Sequence, residues 1–475
     1  MELSVLGSNL DIASLDRDYH LHPFTNLSAH AQGDPIVMTK AHGTRLWDSE
    51  GREYIDALAG LWCVNVGYGR TEIADAISEQ ARALPYYHAF ASMTSVPPAR
   101  LADRVISMAP ERMQRIFFGN SGSDANDTAV KIVWYFNNAM GRSRKKKIMA
   151  RARAYHGVTV AAGSLTGLDG VHRAFDLPVF DVLRLQVPHH YWAAGKGISE
   201  EEFCDNLVRE VEETIEREGA ETIAAFIAEP VMGAGGVIIP PKGYFERIQK
   251  ILKANDILFI ADEVICGFGR LGKYFGSEVF DLDPDVMTIA KGITSGYQPL
   301  SGCMVSQRVY EALERGSDEI GFFGHGYTYS AHPVPAAAAL ANLDLIEKDG
   351  LVENASTVGD YLCRQLEERV APHPLVGNVR GVGLIAAVEL SASKDTYVPF
   401  DPALGVAKQV YAAALLNGMI TRVLQDSEIL AFSPPLSITP PEIDEILDKL
   451  LLSLDSVCDT LAADGHLGEG VRGVA

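Results

Sequence analysis

The sequence predicts an α/β fold, with one mostly parallel, mixed sheet covered by helices on both faces and a smaller α+β unit beside it. Three observations carry this. From residue 115 onward, short apolar runs alternate with helical stretches. Several runs, among them ETIAAFIAEP (221–230), ILFIADEV (257–264) and DVMTIAKG (285–292), lack the in–out alternation of a half-exposed strand, which implies burial on both faces. Beyond the alanine-rich stretch 330–350 the pattern becomes a mixture of shorter strands and helices.

The elements follow in chain order. Residues 1–35 read as an irregular arm, with two prolines and no sustained period. Residues 36–57 read as short strands around the turns AHG and SEG. TEIADAISEQARAL (71–84) has helical spacing with Thr71 as cap, and SVPPARLADRVISMAP (95–110) is a helix entered through prolines. RIFFGN is a strand, SDANDTAVKIVWYFNNAM (123–140) a helix and KIMARARAYHG (147–157) a strand. EEFCDNLVREVEETIEREG (201–219) fills a gap between strands as a helix, and SGCMVS (301–306) is another strand. SAHPVPAAAALANLDLIEKDG (330–350) is a long helix leading out of the sheet region. RGVGLIAAVEL, a helix near 406–417, a strand near 418–424 and a helix over 440–459 make the smaller unit. The expected division is an N-terminal arm with part of the small domain (1–65), a large domain (66–335) and a C-terminal small domain (336–475).

Composition narrows the function. The chain has 475 residues, 47% hydrophobic and 22% charged, as in ordinary globular proteins with a sizeable core. A net charge of −21 argues against a nucleic-acid footprint. Small anions remain possible ligands, because backbone amides bind phosphate without net positive charge. Six cysteines are scattered without a CxxC pair, which is neither a disulfide framework nor a zinc pattern and fits a reducing cytoplasm. The N-terminus lacks a secretory pattern, and no apolar run approaches the length of a membrane span. RSRKKK (142–147) reads as a solvated loop, and His189-His190 as loop residues without a third metal ligand, so no metal is expected.

Two residues stand out. Asp262 and Lys291 each end a buried-looking strand, where open α/β sheets place their ligands. A buried ion pair adds little stability over apolar residues, so such a pair points to chemistry. An amine and a carboxylate so placed suit a pyridine-ring aldehyde, the lysine forming a Schiff base and the acid keeping the ring nitrogen protonated. GNSGSDAND (119–127) opens a helix after a strand. Gly122 and Ser123 there offer free amides to a phosphate, while Ser121 or Ser123 alternatively acts only as a cap. Tyr155 ends a strand where an aromatic can stack on a flat ring, or simply fill the core. Val264, two residues past Asp262, faces the same side of its strand. Glu229 ends another strand, as a site carboxylate or a structural one.

FFGNSGSDANDTAVKIV, ARARAYHG, FIAEPVMGAGGVIIPPKGY, LFIADEVICGFGRLG, DVMTIAKGITSGYQPL and HGYTYSAHPVPAAAAL occur here in the order and spacing of class III pyridoxal-phosphate aminotransferases. The resemblance covers nearly the whole chain, from YIDALAGLW to PPLSIT. It implies the type I pyridoxal-phosphate transferase fold, pyridoxal 5'-phosphate as cofactor, and a homodimer or homotetramer with shared sites. It makes Lys291 the Schiff-base lysine and Asp262 the partner of the pyridine nitrogen. Ser121, Gly122 and Ser123 then surround the phosphate, Tyr155 stacks on the ring, Val264 backs it, and Glu229 belongs to the cofactor site. Thr328 resembles the phosphate-binding threonine contributed by the partner subunit. Asp124 stands where glutamate is commoner.

Within the family the chain most resembles the omega, or amine–pyruvate, transaminases. Phe24 in HPF, Trp62 in LAGLW and Phe90 in YYHAFA resemble their aromatic pocket, with Ala91 and Ala234 as further substrate positions. Ala91 is small where some relatives carry phenylalanine. Arg422 resembles their mobile arginine, which binds a substrate carboxylate and swings away for uncharged amines. The activity implied is S-selective transfer of an amino group from a primary amine or omega-amino acid to pyruvate, by a ping-pong mechanism. Other class III chemistries are transfer to 2-oxoglutarate from a diamine or 4-aminobutyrate, decarboxylation and amino-group migration. A non-catalytic cofactor-binding regulator is the reading from another class, and no basic helix-turn-helix pattern in the first 60 residues supports it.

Overall fold

The computed structural model describes residues 11–194, 197–393 and 397–467. Its centre is a seven-stranded sheet. In spatial order the strands are Met113–Gly119, Ser301–Ser306, Val286–Ile289, Leu258–Asp262, Ile223–Ala228, Lys147–Arg151 and Val182–Leu185. Ser301–Ser306 alone runs antiparallel to both its neighbours, and the pairings from Val286–Ile289 to Val182–Leu185 are parallel. Every residue of Ile223–Ala228, Leu258–Asp262 and Val286–Ile289 is buried, as their unbroken apolar character requires. Helix Gly122–Ala139 packs its Ala129, Ile132, Val133 and Phe136 on one face of the sheet, and helices Glu200–Glu218 and Tyr244–Ala254 cover the other. Each larger side chain so buried, such as Ile132, Val133 or Phe136, contributes roughly 1.5–3 kcal/mol.

Two four-stranded sheets flank this layer. One places Met38–His42, Arg45–Asp48 and Glu53–Asp56 beside Met419–Ile420, so residues near both ends of the chain build one sheet. The other joins Val376–Val382, Ile385–Leu390, Ile429–Phe432 and Arg422–Val423. The C-terminal helix Pro440–Ala463 seats Ile443, Ile446, Leu447, Leu450 and Leu454 in the core shared with these elements. No helix among the described residues is long and apolar enough to cross a membrane.

Four expectations need correction. The described part of the arm is not irregular throughout: helices Ile12–Tyr19 and Leu27–Gln32 start at Asp11 and Asn26, whose carboxylate and amide oxygens accept from Ser14 and Ala29 amides. The strand at 147 stops at Arg151, because Arg153 takes a left-handed backbone (φ 61°) that ends the extended run. Thr71 is the first residue of its helix, and the capping position is Arg70. Lys145 in RSRKKK is buried rather than solvated, its Nζ donating to the carbonyls of Asn255 and Asp256.

Candidate active site

The C-terminal ends of the central parallel strands open on a cavity of about 720 Å³. Asp262 comes from the end of Leu258–Asp262, and Lys291 follows the adjacent strand Val286–Ile289, with Asp262 paired to Thr288 in register. Both side chains line the cavity, as their positions in the sequence imply.

Asp262 is 2% exposed. An isolated carboxylate at such depth would cost several kcal/mol, which its neighbours offset. Asn126 Nδ2 donates to Asp262 Oδ2 at 2.8 Å, and His156 Nδ1 lies 2.7 Å from the same oxygen. Asn126 is itself oriented by Thr288, whose hydroxyl donates to Oδ1, and by a second bond to the His156 carbonyl. Among the described residues, Asp262 Oδ1 accepts only from the Val264 amide, at 3.1 Å. A carboxylate oxygen has two acceptor sites, so Oδ1 keeps one for a donor.

Lys291 Nζ has no hydrogen bond or ion pair among the described residues and lies 5.9 Å from the Trp62 ring centroid. Burial pushes its ammonium below the ordinary lysine value, against a smaller opposing pull from Asp262. The result is an amine more readily neutral, hence more nucleophilic, than a surface lysine.

The phosphate end is a helix start. Ser121 caps helix Gly122–Ala139: its Oγ accepts from the Asp124 amide, and Asp124 accepts in return from Asn120 and Ser121 amides. Asp124 also takes the Ser301 hydroxyl, so it is fully engaged in shaping the turn. The amides of Gly122 and Ser123 have no acceptor within the helix, and both residues line the cavity. A Cβ on Gly122 would lie 2.9 Å from Val264 Cγ1, which explains why glycine stands there. Ser121 itself is exposed and outside the main cavity, lining a smaller one with Gly122 and Lys291.

Tyr155 and Val264 both line the cavity. Glu229 is buried: Oε1 accepts from the Tyr155 amide, and Oε2 lies 3.2 Å from the fully buried Arg151 guanidinium. It therefore holds the Tyr155 turn in place as well as bordering the cavity. At the mouth, Phe24, Trp62, Ala234 and Arg422 line the wall. Phe24 meets Tyr155 edge-on at 6.4 Å, and Arg422 Cζ lies 5.2 Å from the Trp62 ring. Burial lowers the Arg422 value.

Phe90, Ala91 and Thr328 stand apart from this cavity. They form a second, exposed cluster, where Tyr86 Oη donates to the Thr328 carbonyl at 2.7 Å and Phe90 rests against Gly326. Tyr87, Phe90, Met93, Val96, Phe322 and Tyr329 leave a broad apolar surface around it. Phe24, Trp62, Ala91 and Lys291 all have a positive φ, between 50° and 56° except Lys291 at 49°. Non-glycine residues rarely adopt this conformation, and its concentration at site positions marks backbone held against its preference.

Sequence reasoning gave no role to Asn126 or His156. Asn126 was findable: it lies one helical turn past Gly122, on the face that meets the cavity. His156 carried no such signal.

These residues fit pyridoxal phosphate: a desolvated amine, a buried carboxylate with a free acceptor position, amides at a helix start with no acceptor within the helix, and Tyr155 and Val264 on the cavity wall. Residues 27–454 match the family model "Aminotransferase class-III". The chain is 46% identical over 466 residues to diaminobutyrate–2-oxoglutarate transaminase of Halomonas elongata, covering 97% of this chain and 99% of that one. It is 43% identical over 451 residues to putrescine–pyruvate aminotransferase of Pseudomonas aeruginosa, covering 95% and 97%. The structure of the omega transaminase from Pseudomonas jessenii in complex with PMP superposes with a TM-score of 0.93 at 44% identity, covering 97% of this chain and all of that one. By sequence, fold and site chemistry, the chain belongs to the class III aminotransferases, pyridoxal-phosphate enzymes that act on amines and keto acids.

Proposed function

We propose that the protein transfers an amino group from a primary amine or omega-amino acid to pyruvate, releasing an aldehyde or ketone and alanine by a ping-pong route. The observation that carries this reading is Arg422. Its guanidinium lies over Trp62, beside Phe24 and facing the Lys291 cavity, with no carboxylate paired to it among the described residues. A half-buried cation without a counter-ion is partly desolvated, and a keto-acid carboxylate offsets that cost. The aromatic walls accept the apolar part of an amine.

When bound, pyridoxal phosphate supplies an aldehyde that takes up the amine and a cationic ring that accepts electrons. Asp262, through Oδ1, would keep the ring nitrogen protonated, with His156 and Asn126 fixing the carboxylate at Oδ2. Lys291 Nζ, kept readily neutral by burial, takes the proton from the donor carbon and delivers it again. Gly122 and Ser123 amides would hold the phosphate at the helix start, and Tyr155 and Val264 would border the ring.

The exposed cluster of Phe90, Ala91 and Thr328 supports a shared site, in which these residues of one protomer complete the cavity of its partner. So large an apolar surface suits self-association. In that arrangement Ala91→Phe should shift the ratio of kcat/KM between a bulky and a small amine by at least about tenfold, towards the small one. An unchanged ratio would remove Ala91 from the pocket.

A donor panel tests the reading, following alanine formed from pyruvate and glutamate formed from 2-oxoglutarate. Preference for pyruvate supports it, whereas preference for 2-oxoglutarate assigns the chain to the other substrate class. Arg422→Ala should raise the KM for pyruvate by about 10–100-fold while leaving the half-reaction with an uncharged amine within a few-fold.

A further inference from the structure

Outside the active site, the described residues hold one cluster with metal-ligand geometry. Asp16 on helix Ile12–Tyr19, His22 in the segment that follows, and His30 on helix Leu27–Gln32 direct ligand atoms that lie within 4.8 Å of one another. His22 Nε2 is 2.8 Å and His30 Nε2 3.3 Å from Asp16 Oδ2, while His20 Nδ1 lies 3.0 Å from Oδ1. The His22 and His30 rings stand 4.0 Å apart. His30 Nε2 is buried and, despite its closeness to Asp16, makes no hydrogen bond. Two imidazole nitrogens thus converge on one oxygen, and one of them is unsatisfied.

We propose that Asp16, His22 and His30 bind a divalent transition metal of the zinc class, with His20 holding the second carboxylate oxygen in place. Two imidazoles and a carboxylate, with an open position for water, are a recognised donor set for zinc. Ligand atoms about 2.0–2.2 Å from a tetrahedral ion stand roughly 3.3–3.6 Å from each other. The Asp16–His30 separation already matches, and the Asp16–His22 pair needs to open by about half an ångström. The outer carboxylate contact from His20 is the kind that orients a metal ligand.

The ion has a structural consequence. Pro23 and Phe24 follow His22 directly and line the active-site cavity, with Phe24 in a left-handed conformation against Tyr155. A metal joining residues 16, 22 and 30 closes the loop that carries Phe24, so occupancy fixes the aromatic wall at the cavity mouth. This role is independent of which amine or keto acid the enzyme uses.

The test uses full-length holoenzyme stripped with EDTA and re-equilibrated with Zn2+. About one ion per chain should return to the wild type, and Asp16→Asn and His30→Gln should each weaken uptake by about tenfold or more. Co2+ bound to the wild type should show the visible bands of four-coordinate cobalt and be displaced by Zn2+. Hydrogen exchange over residues 20–30 should slow when the metal is restored. Uptake well below one ion per chain, uptake equal in the variants, or cobalt bands that are absent or insensitive to Zn2+ would overturn the proposal.

Discussion

Lys291→Ala should reduce turnover by about 10⁴-fold or more while leaving the protein folded. The lysine is the only amine lining the cavity among the described residues, so in the proposed mechanism its loss removes both the group that anchors the aldehyde and the base that moves the proton. No nearby side chain substitutes for it. Asp262 is saturated at Oδ2, and His156 is turned towards Asp262 rather than towards Lys291. Stability should change little. Lys291 Nζ makes no ion pair that truncation would break, and alanine already occupies left-handed backbone at Ala59, Ala91 and Ala331. A melting temperature within a few degrees of wild type, with single-turnover amine consumption abolished, is the expected pair of results. Retention of even a hundredth of wild-type turnover would assign the proton transfer elsewhere.

Asp262→Asn should keep the cofactor and lose about 10²–10³-fold in kcat. The argument is one of hydrogen-bond polarity. Asn126 Nδ2 is a fixed donor to Oδ2, because it also donates to the His156 carbonyl. An asparagine at 262 therefore turns its oxygen towards Asn126 and its NH2 to the Oδ1 position. There it loses the Val264 amide, at a cost of about 1 kcal/mol, and presents a donor where the ring nitrogen needs an acceptor. The ring is then bound without its proton and withdraws electrons poorly. Single-turnover kinetics with a rapid-scan spectrum separate this loss from weakened cofactor binding. A variant as fast as wild type would show that the carboxylate does not govern the ring proton.

Much of the site was legible in the sequence because parallel α/β sheets gather their functional groups at one edge. Asp262 and Lys291 fall at the ends of neighbouring strands, so two apolar runs sufficed to bring them together. The helix start at Gly122 was equally readable from small residues after a strand. The supporting contacts were not. His156 and Asn126 reach Asp262 across 106 and 136 residues; the helix period puts Asn126 on the cavity face, but nothing local in YHG or DAND specifies Asp262 as the partner. Arg151 was hidden for the same reason, since its partner Glu229, just past the end of a strand, lies 78 residues on. KIMARARAYHG was read too long as a strand because its alternation continues past Arg153, where tertiary contacts impose a turn. His189 was read as loop decoration, yet it is buried against Glu389, 200 residues away. The distant placement of Phe90, Ala91 and Thr328 has a different origin. Their apolar surroundings face solvent, and no local sequence pattern tells such an exposed cluster from one that lines the cavity.

The account rests on Lys291 as the residue that carries the cofactor. Borohydride reduction of the holoenzyme, followed by proteolysis and mass spectrometry, tests this directly. The expected result is about one cofactor per chain, fixed to Lys291 within the segment DVMTIAKGITSGYQPL. A label on any other lysine, or no label on protein that has taken up pyridoxal phosphate, would contradict it.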